Sequence, residues 1–317
     1  MNLETDNNGS SHKLGWLRII RSRWLVGAVL LLAIVIGGKV IHWAMQPKYQ
    51  WRTVEQWFAA YTLDGALRLE EAEGVPFQKL GTNAVWFLWG EYTRKDSKPT
   101  AWLMAQKDRL MGKKRLWWAN THELERQSKA LILLRNMGPV AEPLIPEIIP
   151  RLASPDLDEA ATMAYFLAEI NRQPEVVVPA IHRAWLSTNW SFSHSKNHIA
   201  ALGKFGPQAK SALSELQSRL GNPALTNRAE IFYLARSILQ INGPGPELGV
   251  FTNNLVPGDI HKSSSAVYYL GELGTNARPA IPVLREFIKT FNNDSSSQAS
   301  IMDVIREIDP EARMDKP

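Results

Sequence analysis

Apolar residues return along this chain in paired clusters broken by glycine. One cluster closes at Gly138, Gly206, Gly243 or Gly274, Pro or Thr follows, and a second cluster begins. The second clusters have helical spacing. Ile281, Leu284, Phe287 and Ile288 fall at i, i+3, i+6 and i+7, and Leu213, Leu216 and Leu220 line one face. Lys210, Glu215, Arg219, Arg285, Glu286 and Lys289 take the opposite face, as an amphipathic helix requires. Gly just past a helix supplies a left-handed residue without a Cβ clash. Pro143, Pro179 and Pro279 fit a first helical turn, where the missing N–H would be unpaired anyway. Pro146, Pro150 and Pro282 sit deeper and predict late starts or kinks. Strand signals are nearly absent; Val176–Val178 falls where a second helix is due.

The last apolar residues of the first helices are Met137, Ile170, Phe205, Ile241, Leu273 and Ile308, separated by 33, 35, 36, 32 and 35 residues. Leu80 is a seventh occurrence, 57 residues before Met137, so an insertion intervenes. A fixed period of this length predicts antiparallel helix pairs, each unable to bury its stripe alone and therefore stacked on its neighbours. The unit at Ile170 has Asn171-Arg172 in place of Gly-Pro, and the last has only a first helix.

The phrases Leu134-Arg-Asn-Met-Gly-Pro-Val-Ala-Glu-Pro-Leu-Ile-Pro146, Leu202-Gly-Lys-Phe-Gly-Pro-Gln-Ala209 and Leu270-Gly-Glu-Leu-Gly-Thr-Asn-Ala-Arg-Pro-Ala-Ile-Pro282 resemble bacterial HEAT-like repeats, including those of the Verrucomicrobia. The resemblance covers about Phe77 to Arg313. It implies an all-α fold, a right-handed α-solenoid of HEAT-like hairpins, and protein binding as the usual role. It transfers no catalytic residues, because the shared positions are packing and turn positions.

The N-terminal third differs. Ten of the 12 Trp residues precede residue 120. Residues 24–38 are uncharged and mostly aliphatic, and the apolar stretch continues past Lys39 to Met45. At 1.5 Å per residue, a helix over 24–42 is about 28 Å long, enough for a bilayer core. Lys13, Arg18, Arg21 and Arg23 precede it and Trp16, Trp24 and Trp43 flank it, which is the pattern of a cytoplasmic tail and interfacial aromatics. The expected organisation is a basic tail (1–23), one transmembrane helix (24–45), a Trp-rich juxtamembrane segment (46–76) and the repeats (77–313), with a basic insertion near 94–115. The expected location is the cytoplasmic membrane, single-pass, N-terminus inside, with the repeats periplasmic.

Absence of cysteine excludes disulfides, thiolate metal sites and a cysteine nucleophile. A net charge of +5 is too mild to argue nucleic acid. His194 and His198 lie four apart, but a Ser-rich flank and no third ligand point to a solvent-facing helix start rather than a metal site. Ser263–Ser265 read as caps of a helix at Ala266. The acidic clusters Glu70, Glu71, Glu73 and Asp156, Asp158, Glu159 could do paired acid–base work only in a shielded pocket, and the second, following Ser154-Pro155, suits a helix N-terminus. In the insertion, Arg94, Lys95, Lys98, Lys107, Arg109 and Lys113–Arg115 alternate with Trp102, Trp117 and Trp118. That mixture fits a solvated helix face, an anionic lipid or polymer surface, or nucleic acid.

The function expected from these residues is a membrane-anchored, non-catalytic scaffold without cofactor or metal. It binds an unknown protein partner through second-helix cations Arg183, Lys210, Arg219, Arg278 and Arg285. The rival reading is an enzyme or enzyme accessory, lyase-like or acting on nucleic acid.

Overall fold

A computed structural model describes residues 30–32, 34–38, 41, 44–61, 75–97, 102, 121–187, 192–291 and 294–311. Among these residues the structure is all-helical, with no strand; one isolated antiparallel bridge joins Tyr49 to Arg52. The helices are α1 (Val54–Ala60), α2 (Val75–Leu80), α3 (Thr82–Thr93), α4 (Thr121–Asn136), α5 (Ile145–Ile148), α6 (Leu157–Ile170), α7 (Pro174–Ser187), α8 (Phe192–Lys204), α9 (Leu213–Leu220), α10 (Arg228–Asn242), α11 (Leu248–Thr252), α12 (Ile260–Glu272), α13 (Ile281–Lys289) and α14 (Ser295–Ile308).

The glycine signals carry the conformation they require. Gly138, Gly206 and Gly274 have φ of 51°, 55° and 52°, and Asn171, standing where Gly is missing, adopts 47°; Gly243, at φ 84° and ψ −170°, ends its helix in a different positive-φ conformation. Behind Gly138, Gly206 and Gly274 the chain winds as 3₁₀ helix through Gly138–Leu144, Gly206–Ala212 and Gly274–Ala280 before α5, α9 and α13 begin. Pro146 and Pro282 then occupy first turns, where a late start leaves no donor to lose. Pro143 and Pro279 lie inside the 3₁₀ segments. Pro179 departs from expectation: the first residue of α7 is Pro174, and Pro179 is inside the helix.

The starts of the first helices rest on short acidic or amide side chains. Asp156 accepts from the backbone N–H groups of Asp158 and Glu159, Asn227 from those of Ala229 and Glu230, Asp259 from Lys262 and Asp294 from Ser297, all at 3.0–3.2 Å. Each satisfies donors that a helix N-terminus leaves orphaned. Ser263 is therefore not a cap. It lies fully buried in the second turn of α12, where its Oγ donates to the Asp259 carbonyl at 2.8 Å and accepts from the Val256 N–H at 2.8 Å.

Among the first helices α6 packs closely on α8, α8 on α10 and α12 on α14, while α4 meets α6 only thinly; the second helix α3 packs on α4. The α10–α12 contact is much thinner than α8–α10, and side-chain size explains it. Between α8 and α10 the facing residues are small: Gly203 lies against Ser237, whose buried Oγ donates to the Ile199 carbonyl at 2.9 Å. Between α10 and α12 stand rings. Phe232 and Tyr233 meet Tyr269 at centroid distances of 5.7 and 5.9 Å, and Phe251 meets Phe232 at 5.2 Å. Small residues let axes approach, and aromatic side chains hold them apart. The apolar core is accordingly divided. One cluster runs from Phe77 to Ile241 and the other from Phe232 to Ile308, and α10 supplies residues to both.

The expected membrane span is corrected. Among the described residues no helix is long and apolar enough to cross a membrane. The expected basic tail (1–23) and residues 24–29, 33, 39–40 and 42–43 of the expected span lie outside the described residues. Neither a single-pass topology nor a periplasmic placement is supported. The acidic cluster Glu70–Glu73 and most of the basic insertion also lie outside the described residues.

Candidate functional site: a polar groove over the ends of the first helices

A groove of about 650 Å³ opens where the ends of α6, α8, α10 and α12 converge. The repeat itself aligns its residues. Of the lining residues, Lys204, Gln240 and Glu272 each precede the last apolar residue of a first helix, and Tyr165, Arg236 and Tyr268 each stand five residues before it; Glu169, paired with Lys204, holds the first of these positions on α6. The groove owes its width to the aromatic wedge between α10 and α12.

Its walls are cross-braced by charge. Lys204 Nζ lies 2.7 Å from Glu169 Oε1, and Arg135 Nη2 lies 3.6 Å from the same oxygen. Both cations sit 4.7 Å from the Tyr165 ring centroid. Across the seam, Arg236 Nη2 lies 2.7 Å from Glu272 Oε2, and Asn276 Nδ2 donates to the Leu239 carbonyl at 3.2 Å. Arg236 Nε and Gln240 Oε1 are buried without a hydrogen-bond partner. Tyr268 stands 58% exposed on the rim, its phenol pushed upward by partial burial and by the charge of Glu272. Beneath it Tyr269 is pushed up to about 12, by burial first and then by Tyr233. Guanidinium, ammonium, carboxylate and an exposed ring together supply charge-assisted hydrogen bonds and cation–π contacts.

Comparison with family models, curated proteins and solved structures finds no match to this chain. The site's meaning rests on its geometry.

None of the five cations expected to bind a partner lines this groove. Arg183 is exposed on α7, Lys210 on the 3₁₀ segment and Arg285 on α13. Arg219 is held by Glu230, with Nε at 3.0 Å and Nη2 at 2.9 Å from Oε1 of a carboxylate that is 6% exposed. Arg278 Nη2 lies 3.3 Å from Asp309. Apolar periodicity does not reveal the groove residues; the polar residues beside the same anchors, Lys204, Gln240 and Glu272, carry that signal.

The histidines correct the expectation of a solvent-facing helix start. His198 is fully buried in α8, and His194 Nε2 lies 3.3 Å from Asp158 Oδ1. Burial drives the His198 pKa down to about 4, opposed by its contact with the His194 carbonyl and assisted by the His194 charge. A base whose folded pKa lies below its unfolded value binds fewer protons when folded. Its stability contribution is complete above pH 6.5 and is lost as pH falls toward 4. We predict a loss on the order of 2–3 kcal/mol across that window. Urea midpoints at pH 7 and pH 4.5 should show it, and His198→Gln should flatten the difference; an equal slope in both proteins assigns the acid sensitivity elsewhere.

Proposed function

We propose that this chain is a non-catalytic scaffold, a right-handed α-solenoid of HEAT-like hairpins that binds a protein partner along the groove over α6–α12. The observation that carries the reading is the groove itself: an open polar channel, braced by Lys204–Glu169 and Arg236–Glu272 and rimmed by exposed Tyr268. The ordered meeting of first helices and the repeated left-handed glycines support the hairpin arrangement. Interfaces draw their energy from a few aromatic and arginine residues, and Tyr268 and Arg236 are of that kind.

A photo-crosslinking residue at position 268 tests this in cells. Capture of one defined partner is expected. Lys204→Glu should reduce it at least about tenfold, the scale of losing one charge-assisted contact. Charge reversal at Arg183, Lys210 and Arg285 should leave it intact. The opposite pattern moves the binding face to the second helices.

A further inference from the structure

The other end of the molecule carries a second pocket of about 350 Å³, lined by Tyr49, Gln50, Arg52, Trp57, Ala60, Tyr61, Val75 and Pro76. Its rim is a tight turn. Tyr49 and Arg52 exchange both backbone hydrogen bonds, at 3.0 and 3.1 Å, and the two residues between them, Gln50 and Trp51, have φ of 48° and 64°. Positive φ at both central turn positions ordinarily selects Asn or Gly, so this turn is strained. Its surroundings hold it. Trp57 Nε1 donates to the Tyr49 carbonyl at 3.1 Å, and Thr53 and Gln56 form a reciprocal capping box at the start of α1. The strained turn leaves the Trp51 side chain 91% exposed.

The pocket wall is fixed to the body. Lys129 of α4, 9% exposed, donates from Nζ to the Phe58 carbonyl and lies 4.3 Å from the Phe58 ring centroid. Tyr61 meets Phe77 edge-on at 6.2 Å. On this base Arg52 is pre-positioned, its guanidinium stacked 4.9 Å from the Trp57 ring centroid. Among the described residues no carboxylate lies within ion-pair distance of it; Glu55, in the first turn of α1, accepts from Gln46 Nε2 at 3.0 Å through one oxygen, and its other oxygen is buried without a described partner. A stacked guanidinium keeps its edge N–H groups available for bidentate bonding to a carboxylate. The rest of the lining is mixed: Gln50 adds a polar amide, and Tyr49, Trp57, Tyr61, Ala60, Val75 and Pro76 add aromatic and aliphatic surface.

We infer that this pocket recognises an acidic–aromatic peptide segment of a partner protein. The carboxylate pairs with Arg52, and the adjoining aromatic side chain enters among Tyr49, Tyr61, Val75 and Pro76. Charge complementarity with a stacked arginine that no described carboxylate pairs selects the acid. Trp51 stands outside the pocket, on the residue between two of its lining residues, so a ligand that covers it must continue past the pocket as a chain does.

Titration of the full-length chain with acetyl-Gly-Asp-Phe-Gly-amide, followed by ligand-observed NMR, tests the assignment. The Asp peptide should bind about tenfold more tightly than its Asn counterpart. Arg52→Gln should equalise the two while leaving the circular dichroism spectrum unchanged. Phenylacetate should bind more weakly than the peptide. Equal affinity of Asp and Asn peptides for the unaltered protein overturns the proposal without requiring any variant. Phenylacetate binding as tightly as the peptide overturns the choice of a polypeptide ligand. Lys204→Glu and Tyr268→Ala, in the distant groove, should leave peptide affinity unchanged, so failure of one site is separable from failure of the other.

Discussion

Replacing Arg126 with alanine should destabilise the protein by about 3–5 kcal/mol, the range for removing one partner of a buried ion pair. Arg126 stands on α4 with its side chain 12% exposed. Its Nη1 pairs with Asp96, whose side chain is 6% exposed. Its Nε lies 3.4 Å from Glu91 Oε2, and Nη2 donates to the Arg94 carbonyl at 2.6 Å. The Asp96 N–H donates to Glu123 Oε2 at 3.1 Å, so one guanidinium organises the chain leaving α3 against α4. Without it, shielded Asp96 loses the cation that pairs with it, while Glu91 keeps Arg94 Nη1 at 2.9 Å. Guanidinium-induced unfolding should show the loss. Arg126→Ala/Asp96→Asn should recover part of it, because removing both partners is less costly than stranding one. A change below 1 kcal/mol would mean that solvent already screens the cluster.

Replacing Gly203 with valine should cost about 3 kcal/mol, at the upper end for overpacking. A Cβ at this position would lie 2.4 Å from Gln240 Oε1, 2.7 Å from Ser237 Oγ and 3.0 Å from Ser237 Cα. The Gln240 amide can rotate away. Ser237 cannot, because its side chain is short, 1% exposed and already bonded to the Ile199 carbonyl. Helices α8 and α10 must separate, and the packing along both is lost with their distance. Gly203→Ala should cost less, since alanine recovers helix propensity of about 1 kcal/mol. Thermal denaturation of the Gly203→Val/Ser237→Gly pair checks the cause: partial rescue marks the Ser237 contact, and strict additivity refutes it.

The sequence made the helix boundaries on the C-terminal side legible, because a single residue type at a fixed interval satisfies one backbone demand. Gly138, Gly206 and Gly274 stood in that pattern, and Asn171 substitutes because its side chain tolerates left-handed backbone. The N-terminal boundaries were equally written, in Asp156, Asn227, Asp259 and Asp294, but at α12 the serines Ser263–Ser265 offered a competing cap. Only the hydrogen bonds distinguish Asp259 from Ser263. The groove was less accessible. Its width depends on the difference between Gly203 facing Ser237 and Tyr269 facing Phe232, contacts between residues more than thirty positions apart. Local periodicity reports which face a residue occupies, not how far apart two helices stand. The apolar stretch at 24–45 misled because composition alone resembles a span, whereas among the described residues no helix is long and apolar enough to cross a membrane.

The division of the core at α10 has a mechanical consequence. When the chain ends are drawn apart, load passes through each helix-to-helix contact in series, and the weakest yields first. That contact is α10–α12, where ring contacts, the Arg236–Glu272 pair and the Asn276 bond to Leu239 join the two blocks. Pulled in an optical trap, the protein should give way in two steps, releasing the shorter C-terminal block before the longer one.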